Sequence, residues 1–113
     1  MKLIYEQNAF LMDFVKLLNW CEIKGWMLTG GELWRTEEQQ RAYLAAGKTK
    51  TMQSNHLRRL AIDLNFFMND VLVIDKAHLQ EIGDYWESLS PENRWGGNFR
   101  SLLDCPHFER NAV

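Results

Sequence analysis

The sequence predicts an α+β fold in which a small antiparallel sheet is flanked by helices. Apolar residues recur at helical spacing between residues 8 and 24 and again after Asp75, whereas residues 60–67 alternate as a strand does. Helices and strands do not alternate regularly along the chain, which favours an α+β fold over a doubly wound parallel sheet. A length of 113 residues is typical of one domain, and we therefore expect a single domain over residues 1–113.

The N-terminal helix is predicted by a stripe of apolar residues and by a signal at each end. Asn8 is a suitable N-cap, and Gly25 is a suitable C-terminal stop. Residues 26–34 then indicate a strand, and the glycine pair at residues 30–31 predicts a bulge or a close approach of another backbone segment. The apolar residues at helical spacing are Phe10, Phe14, Leu17, Leu18 and Cys21.

The middle of the chain contains a second helix signal and a pair of strands. Residues 36–39 (Thr-Glu-Glu-Gln) form a capping box, so we expect a helix that runs to about Ala46. A polar loop is expected at residues 48–53. The strand at residues 60–67 is followed by a turn and by a second short strand at residues 71–74.

The last third of the chain contains one more helix and a final extended segment. Asp75 is predicted to cap this helix, and turns are expected around residues 90–97. Residues 107–109 are predicted to be extended. The apolar stripe of the helix consists of Leu79, Ile82, Trp86 and Leu89.

Composition argues against several classes of function. The 13 basic and 15 acidic residues give a formal net charge of −2 and a pI near 5.9, so the sequence lacks the basic excess typical of nucleic-acid-binding proteins. No apolar run approaches the roughly 18 residues that a membrane span needs, and no signal peptide is evident. The two cysteines fit no disulfide framework, so we expect synthesis in a reducing cytoplasm.

Two histidines and one aspartate are candidate metal ligands. His56 and Asp63 are seven residues apart at the start of the predicted strand, and His107 lies in the last extended segment. Catalytic zinc sites use three protein ligands of these types and leave the fourth position for water. Zinc lowers the pKa of that water and polarises a carbonyl group, which makes amide hydrolysis accessible.

Two questions about this site remain open from the residues alone. The general base near the metal could be Asp104, Glu109 or Glu32, since each offers a carboxylate. If residues 105–109 are extended, Cys105 lies on the same face as the second histidine. A thiolate would then complete a closed, structural zinc site with no position for water.

Two spaced motifs stand out around these residues. The first motif consists of Ser54, His56, Ala61 and Asp63. The second motif is an acidic residue, Asp104, three positions before His107. Together they resemble the motifs of the zinc peptidases that cut peptidoglycan stem peptides. This family includes D-alanyl-D-alanine carboxypeptidases and dipeptidases and the phage L-alanyl-D-glutamate endopeptidases.

The resemblance implies a fold and a role for each of these residues. The fold is of the hedgehog/D,D-peptidase type, with one zinc ion. Asp104 is implied as the general base and Arg35 as the cation that binds the scissile carbonyl oxygen. Ser54 is implied as a hydroxyl that contacts the substrate or supports a ligand. The implied zinc ligands are His56, Asp63 and His107.

The resemblance covers roughly residues 26–109 and includes three departures from the family pattern. Arg59 occupies a position where many relatives have glycine, and Phe99 occupies a position where tryptophan is common. The segments at residues 34–39 and 95–97 are similar to family segments and occur in the expected order. The base is aspartate, as in the phage endopeptidases, rather than the glutamate of many carboxypeptidases.

The resemblance implies zinc-dependent hydrolysis of a peptide bond in peptidoglycan stem peptides. We expect an L-alanyl-D-glutamate endopeptidase of a phage or prophage that acts as an endolysin and reaches the wall through a holin-type pore. The expected partner is the peptidoglycan peptide, with no nucleic acid and no membrane insertion, and the expected state is a monomer. Two alternatives remain: a D-alanyl-D-alanine carboxypeptidase, and a non-catalytic zinc module that binds wall or protein partners.

Overall fold

The antiparallel sheet is organised around one central strand, β2 (Ala61–Met68). The computed structural model describes residues 2–49 and 54–112, and within that part it contains three α-helices and a five-stranded sheet. The predicted α+β class is confirmed. The other elements are α1 (Leu3–Ile23), β1 (Met27–Gly30), α2 (Glu37–Ala45), a first 3₁₀ turn (Asn55–Arg58), β3 (Val71–Val73), α3 (Lys76–Ser88), β4 (Asn93–Trp95), a second 3₁₀ turn (Gly96–Asn98) and β5 (His107–Arg110).

Strand β2 has one face in the core and the other on the opposite side of the sheet. All its neighbours are antiparallel: β1 pairs with residues 64–67, β5 with residues 61–63 and β3 with residues 66–68. Strand β4 extends the sheet beyond β5. Side chains alternate across a strand, so Ile62, Leu64 and Phe66 are buried in the core while Asp63 faces the other side.

Helices α1 and α3 contribute apolar side chains to one core. The predicted stripe of α3 is confirmed, because Leu79, Ile82 and Trp86 are buried and Leu89 packs against them. The buried apolar core consists of Phe10, Leu17, Cys21, Leu60, Ile62, Leu64, Phe66, Leu79, Ile82, Trp86, Trp95, Cys105, Phe108 and Ala112. None of the described helices is both long and apolar enough to span a membrane.

The prediction that α1 begins at Asn8 is wrong, since the helix begins at Leu3. Tertiary contacts support the additional turn. Glu6 is buried and accepts a hydrogen bond of 3.2 Å from the Arg110 guanidinium, and the Gln7 side chain donates to the carbonyl of Arg58 at 2.8 Å. Leu18, which was predicted to face the core, is exposed on the outer side of the helix.

The strands also differ from the predictions in two places. The strand predicted at residues 26–34 is regular only over β1, and strand β4 was not predicted at all. Strand β4 has three residues, which is too few for an alternating pattern to be recognised. The caps at Thr36 and Asp75 are confirmed, because each side chain accepts a hydrogen bond from the backbone N–H three residues later. Residues 50–53 of the predicted loop lie outside the described residues.

Arg59 ends the first 3₁₀ turn in the left-handed region, with φ 56° and ψ 38°. This conformation explains why glycine suits the position, since a Cβ there costs roughly 1–2 kcal/mol. The Arg59 guanidinium lies over the ring of Trp34, 4.9 Å from its centroid, and this contact offsets part of the strain.

The strain and the stacking contact can be separated by two substitutions. We expect Arg59→Gly to be more stable than Arg59→Ala by about 1 kcal/mol, because both lose the stack but only glycine relieves the backbone. Urea unfolding of the two variants beside the wild type measures this difference. An alanine variant at least as stable as the glycine variant would rule out backbone strain at this position.

Candidate metal centre and active site

Three chain segments bring the candidate ligands together. His56 lies in the first 3₁₀ turn, which the Ser54 hydroxyl caps by accepting a hydrogen bond of 3.2 Å from the His56 backbone N–H. Asp63 and His107 are directly opposite each other in the β2–β5 register. Their side chains therefore point to the same face of the sheet, away from the core.

The spacing of the ligand atoms matches one face of a tetrahedron. His56 Nε2 lies 3.2 Å from His107 Nδ1 and 3.3 Å from Asp63 Oδ1, and the third distance, from His107 Nδ1 to Asp63 Oδ1, is 3.4 Å. Zinc–ligand bonds of about 2.0–2.1 Å at tetrahedral angles place ligand atoms roughly 3.3–3.4 Å apart. These residues therefore form a group that could hold a metal ion.

The hydrogen-bond partners of the two histidines indicate which ring nitrogens are unprotonated and direct a lone pair at the centre. His56 Nδ1 lies 3.0 Å from the carbonyl oxygen of Leu33, which can only accept a hydrogen bond, so Nδ1 carries the proton. His107 Nε2 lies 2.7 Å from Glu109 Oε1 and donates to that carboxylate. In the neutral tautomers, two nitrogen lone pairs then converge on Asp63 Oδ1.

Asp63 Oδ1 is itself buried and makes no well-formed hydrogen bond within residues 2–49 and 54–112. Three acceptors at this separation repel one another unless a cation or a proton lies between them. The donor set and the orphaned oxygen both fit a metal such as zinc.

The pKa values describe how protons occupy the centre when no metal is bound. Burial favours a raised pKa for Asp63, but the interactions with His107 and His56 outweigh burial and hold it below its usual range. Burial favours a lowered pKa for His107, but Asp63 and Glu109 outweigh it and raise the pKa to about 9. At neutral pH a proton on His107 therefore takes the place that a metal would occupy.

Glycine permits two close backbone approaches at the centre. A Cβ on Gly31 would lie 3.0 Å from the carbonyl oxygen of Asp63, and the Gly31 N–H donates to that oxygen at 2.7 Å. The predicted close approach at residues 30–31 is therefore confirmed at Gly31. A Cβ on Gly96 would lie 2.0 Å from the carbonyl oxygen of Asp104, so only glycine allows this loop to pack here.

Asp104 lies beside the three candidate ligands without belonging to them. Its Oδ2 is 4.0 Å from His107 Nδ1, and its side chain is half exposed to the cleft. Its backbone is fixed, because the Asp104 N–H donates to Gly96 at 2.9 Å and its carbonyl accepts from the His107 N–H at 3.0 Å. Partial burial raises the pKa of Asp104.

Arg35 reaches the same cleft and is firmly held. Its Nε donates to Glu32, and its Nη1 donates to Gln40 at 2.7 Å and to the Ser54 hydroxyl at 3.4 Å. The guanidinium also lies over the Tyr43 ring, 4.7 Å from the centroid. Within the part of the chain that the structure describes, no residue accepts a hydrogen bond from Nη2.

The ligands and Asp104 line a cleft of about 660 Å³. Two chain segments, residues 32–49 and residues 94–104, supply most of its lining. Its charged lining residues are Glu32, Arg35, Lys48, Asp63, Arg94, Arg100, Asp104 and Glu109. A cleft of this size accommodates a short peptide.

Cys105 does not lie on the face of the ligands, so the expectation of a shared face is wrong. Strand β5 begins only at His107, and Cys105 is buried in the apolar core. The Cys105 carbonyl accepts a hydrogen bond of 2.7 Å from the Trp95 indole. Burial raises the pKa of the Cys105 thiol, which disfavours the thiolate that a metal needs.

Sequence reasoning missed the partner that holds Glu109. Arg94 donates from Nε and Nη2 to Glu109 Oε2, at 2.9 and 2.6 Å. The two residues are direct cross-strand partners in the β4–β5 register. Since β4 was not predicted, no signal in the sequence brought Arg94 and Glu109 together.

Glu109→Gln is expected to weaken zinc binding by about 10- to 100-fold, because Glu109 fixes the tautomer and orientation of His107. Competition with a chromophoric chelator measures the affinity directly. Glu22→Gln, on the exposed side of α1, makes the same change of charge far from the centre and serves as the control. An affinity for zinc within twofold of the wild type would contradict a role of Glu109 in orienting His107.

Comparisons with known proteins agree with these observations. The sequence model of the D-alanyl-D-alanine carboxypeptidase family matches residues 47–110, which is more than half of the chain. The L-alanyl-D-glutamate peptidase of Listeria phage A118 is 34% identical over 99 residues, which are 85% of this chain and 34% of that protein. The chain thus spans about a third of the length of this curated relative.

A solved structure shares the fold. The L-Ala D-Glu endopeptidase ChiX of Serratia marcescens superposes with a TM-score of 0.62 and 26% sequence identity, over 74% of this chain and 65% of that chain. The resemblance in the two sequence motifs is therefore confirmed at the level of the family. The chain belongs to the D-alanyl-D-alanine carboxypeptidase family of peptidases, which it joins through the segment that carries all three candidate ligands and Asp104.

Proposed function

We propose that the chain is a single zinc peptidase domain that hydrolyses a peptide bond in peptidoglycan stem peptides, with the specificity of an L-alanyl-D-glutamate endopeptidase. The observation that carries this proposal is the convergence of three ligand atoms, 3.2–3.4 Å apart, with Asp104 beside them in an open cleft. An open fourth position distinguishes catalytic from structural zinc sites. The packing of Cys105 in the core argues against the closed alternative.

His56, Asp63 and His107 would hold the zinc ion. When bound, zinc supplies a Lewis acid that lowers the pKa of water and polarises a carbonyl group. The second partners of the ligands keep the donor atoms aimed at the metal: the Leu33 carbonyl holds His56, and Glu109 holds His107.

Asp104 is the group that moves the proton. As a carboxylate it accepts a proton from the attacking water and then transfers that proton to the leaving nitrogen of the scissile bond. Its rigid backbone and half-exposed side chain suit this role, because the carboxylate is fixed in position yet accessible from the cleft.

Arg35 and Ser54 bind and orient the substrate in this proposal. The Arg35 guanidinium is the cation, and its Nη2 is aimed at the oxygen of the scissile carbonyl, where negative charge develops. Glu32, Gln40 and the Tyr43 ring hold the guanidinium in place, which limits the loss of side-chain freedom on binding. The Ser54 hydroxyl caps the turn of His56 and accepts from Arg35, so it links the ligand and the cation.

The relatives guide the choice of bond and of biological setting. The phage protein and ChiX are both named for cleavage between L-alanine and D-glutamate. We place this chain in the same class, as a phage or prophage endolysin that a holin-type pore releases to the wall and that acts as a monomer. The description of the matching family favours a second candidate, a D-alanyl-D-alanine carboxypeptidase.

Mass spectrometry of the products separates the two candidates. Purified protein is incubated with peptidoglycan fragments in the presence of zinc and, in parallel, after chelation. We expect a new N-terminal D-glutamate in the zinc sample and no cleavage after chelation. Free D-alanine as the sole product would overturn the endopeptidase assignment in favour of the carboxypeptidase, and undiminished cleavage after chelation would overturn the zinc mechanism.

A further inference from the structure

The charges that line the cleft are not all neutralised within the protein. Of its four cations, Arg35 is paired with Glu32 and Arg94 is paired with Glu109. The other two cations lack a carboxylate partner in the part of the chain that the structure describes. They are Lys48 and Arg100.

Arg100 lines the cleft that contains the candidate metal centre. Its side chain is exposed, lines the cleft and makes no hydrogen bond or ion pair with another described residue. The preceding residue, Phe99, contacts the His107 ring with a centroid distance of 5.6 Å. Lys48 belongs to the other lining segment, where its ammonium lies 5.7 Å from the centroid of the Tyr43 ring.

The proton transfer to the leaving nitrogen fixes which part of a substrate lies near Asp104. Asp104 delivers that proton, so the residue that follows the scissile bond lies beside Asp104. Arg100 and Asp104 belong to the same lining segment, residues 94–104. The residue after the scissile bond therefore lies beside the lining segment to which Arg100 belongs.

Glutamate after the scissile bond offers a matching charge. A glutamate residue has two carboxyl groups, and at most one of them forms the next peptide bond. One free carboxylate therefore remains on that residue. We propose that Arg100 binds this free carboxylate and so selects an acidic residue immediately after the scissile bond. The inference rests on the proposed peptidase function, and it adds the group that recognises the substrate.

Arginine suits this task because its planar guanidinium binds a carboxylate with two parallel hydrogen bonds. The site is open to solvent, which weakens the interaction relative to a buried pair. We therefore expect the free carboxylate to raise kcat/KM by roughly tenfold over an uncharged analogue, rather than by several orders of magnitude.

Two synthetic peptides test the proposal. Both contain L-Ala-D-Glu, and they differ only in whether the free carboxylate of D-Glu is intact or converted to the amide. The zinc-loaded wild type is expected to prefer the carboxylate peptide roughly tenfold in kcat/KM. Arg100→Gln is expected to abolish this preference by slowing only the carboxylate peptide, and Arg100→Lys is expected to restore part of it.

Two further variants make the comparison specific. Arg41→Gln removes a cation from the exposed face of α2, outside the cleft, and is expected to keep the wild-type preference. Lys48→Gln removes the other cation without a carboxylate partner. Loss of the preference in Lys48→Gln but not in Arg100→Gln would overturn the assignment, as would an equal loss on both peptides in Arg100→Gln.

A binding measurement distinguishes failure of this inference from failure of the proposed function. Calorimetry with zinc-loaded protein carrying Asp104→Asn compares the two peptides with and without Arg100→Gln. If the wild type cleaves neither peptide, the proposed function fails. If the wild type cleaves the peptides but the carboxylate peptide does not bind roughly tenfold more tightly, or if that difference persists with Arg100→Gln, only the Arg100 inference fails.

Discussion

Asp104→Asn is expected to lower kcat by about two to four orders of magnitude, which is the typical contribution of a general base. The amide retains the shape of the side chain but cannot accept the proton of the attacking water. Zinc content should be unchanged, because the Asp104 carboxylate lies 4.0 Å from His107 Nδ1 and is not among the three ligands. The hydrogen bonds that fix residue 104 come from its backbone and also persist.

Single-turnover kinetics and zinc analysis of the same samples provide the measurement. Glu38→Gln, an equivalent change on the exposed face of α2, is the matched control and should retain wild-type kcat. If Asp104→Asn keeps more than about a tenth of wild-type kcat at full zinc content, another carboxylate is the base. Glu32 and Glu109 would then both be tested, since each is bound within the protein, Glu32 to Arg35 and Tyr43 and Glu109 to His107 and Arg94.

His107→Ala is expected to abolish both stoichiometric zinc binding and hydrolysis, since two ligands remain where three are needed. The wild type should lose about 4 kcal/mol of free energy of unfolding on chelation when free zinc had been about 1,000 times its Kd. Mass spectrometry measures the zinc content, and thermal unfolding measures the loss of stability on chelation. His78→Ala is the control, because His78 is exposed on α3 and pairs only with Asp75 among the described residues.

The effect of zinc should also depend on pH. In the metal-free protein the pKa of His107 is raised to about 9, so the stability that its proton contributes is complete below about pH 6.5 and is lost as the pH approaches 9. Zinc must displace this proton, so its affinity should rise by about tenfold per pH unit over that interval. The difference in Tm between zinc-loaded and chelated protein should widen accordingly. An affinity that is flat between pH 6.5 and 9 would show that zinc displaces no proton with a pKa near 9 from this centre.

Local signals predicted most of the fold correctly, and tertiary contacts account for the errors. The caps at Thr36 and Asp75 depend on residues within one turn, so their prediction required no knowledge of the rest of the chain. The first turn of α1 depends on a buried contact between Glu6 and Arg110, which are 104 residues apart. No pattern near Asn8 contains that information.

In the candidate site, too, some features followed from local sequence and others only from tertiary contacts. The sequence by itself determined which residues could bind metal and which carboxylates could act beside them, because donor chemistry belongs to the side chain. It also determined that another backbone segment can pass close to Gly31, because a missing Cβ is a local property. Only the tertiary structure decided that Cys105 packs in the core, that Arg94 holds Glu109 and that Arg59 adopts a left-handed conformation. Each of these depends on strand register or on where a strand begins, and both are set by contacts between distant segments.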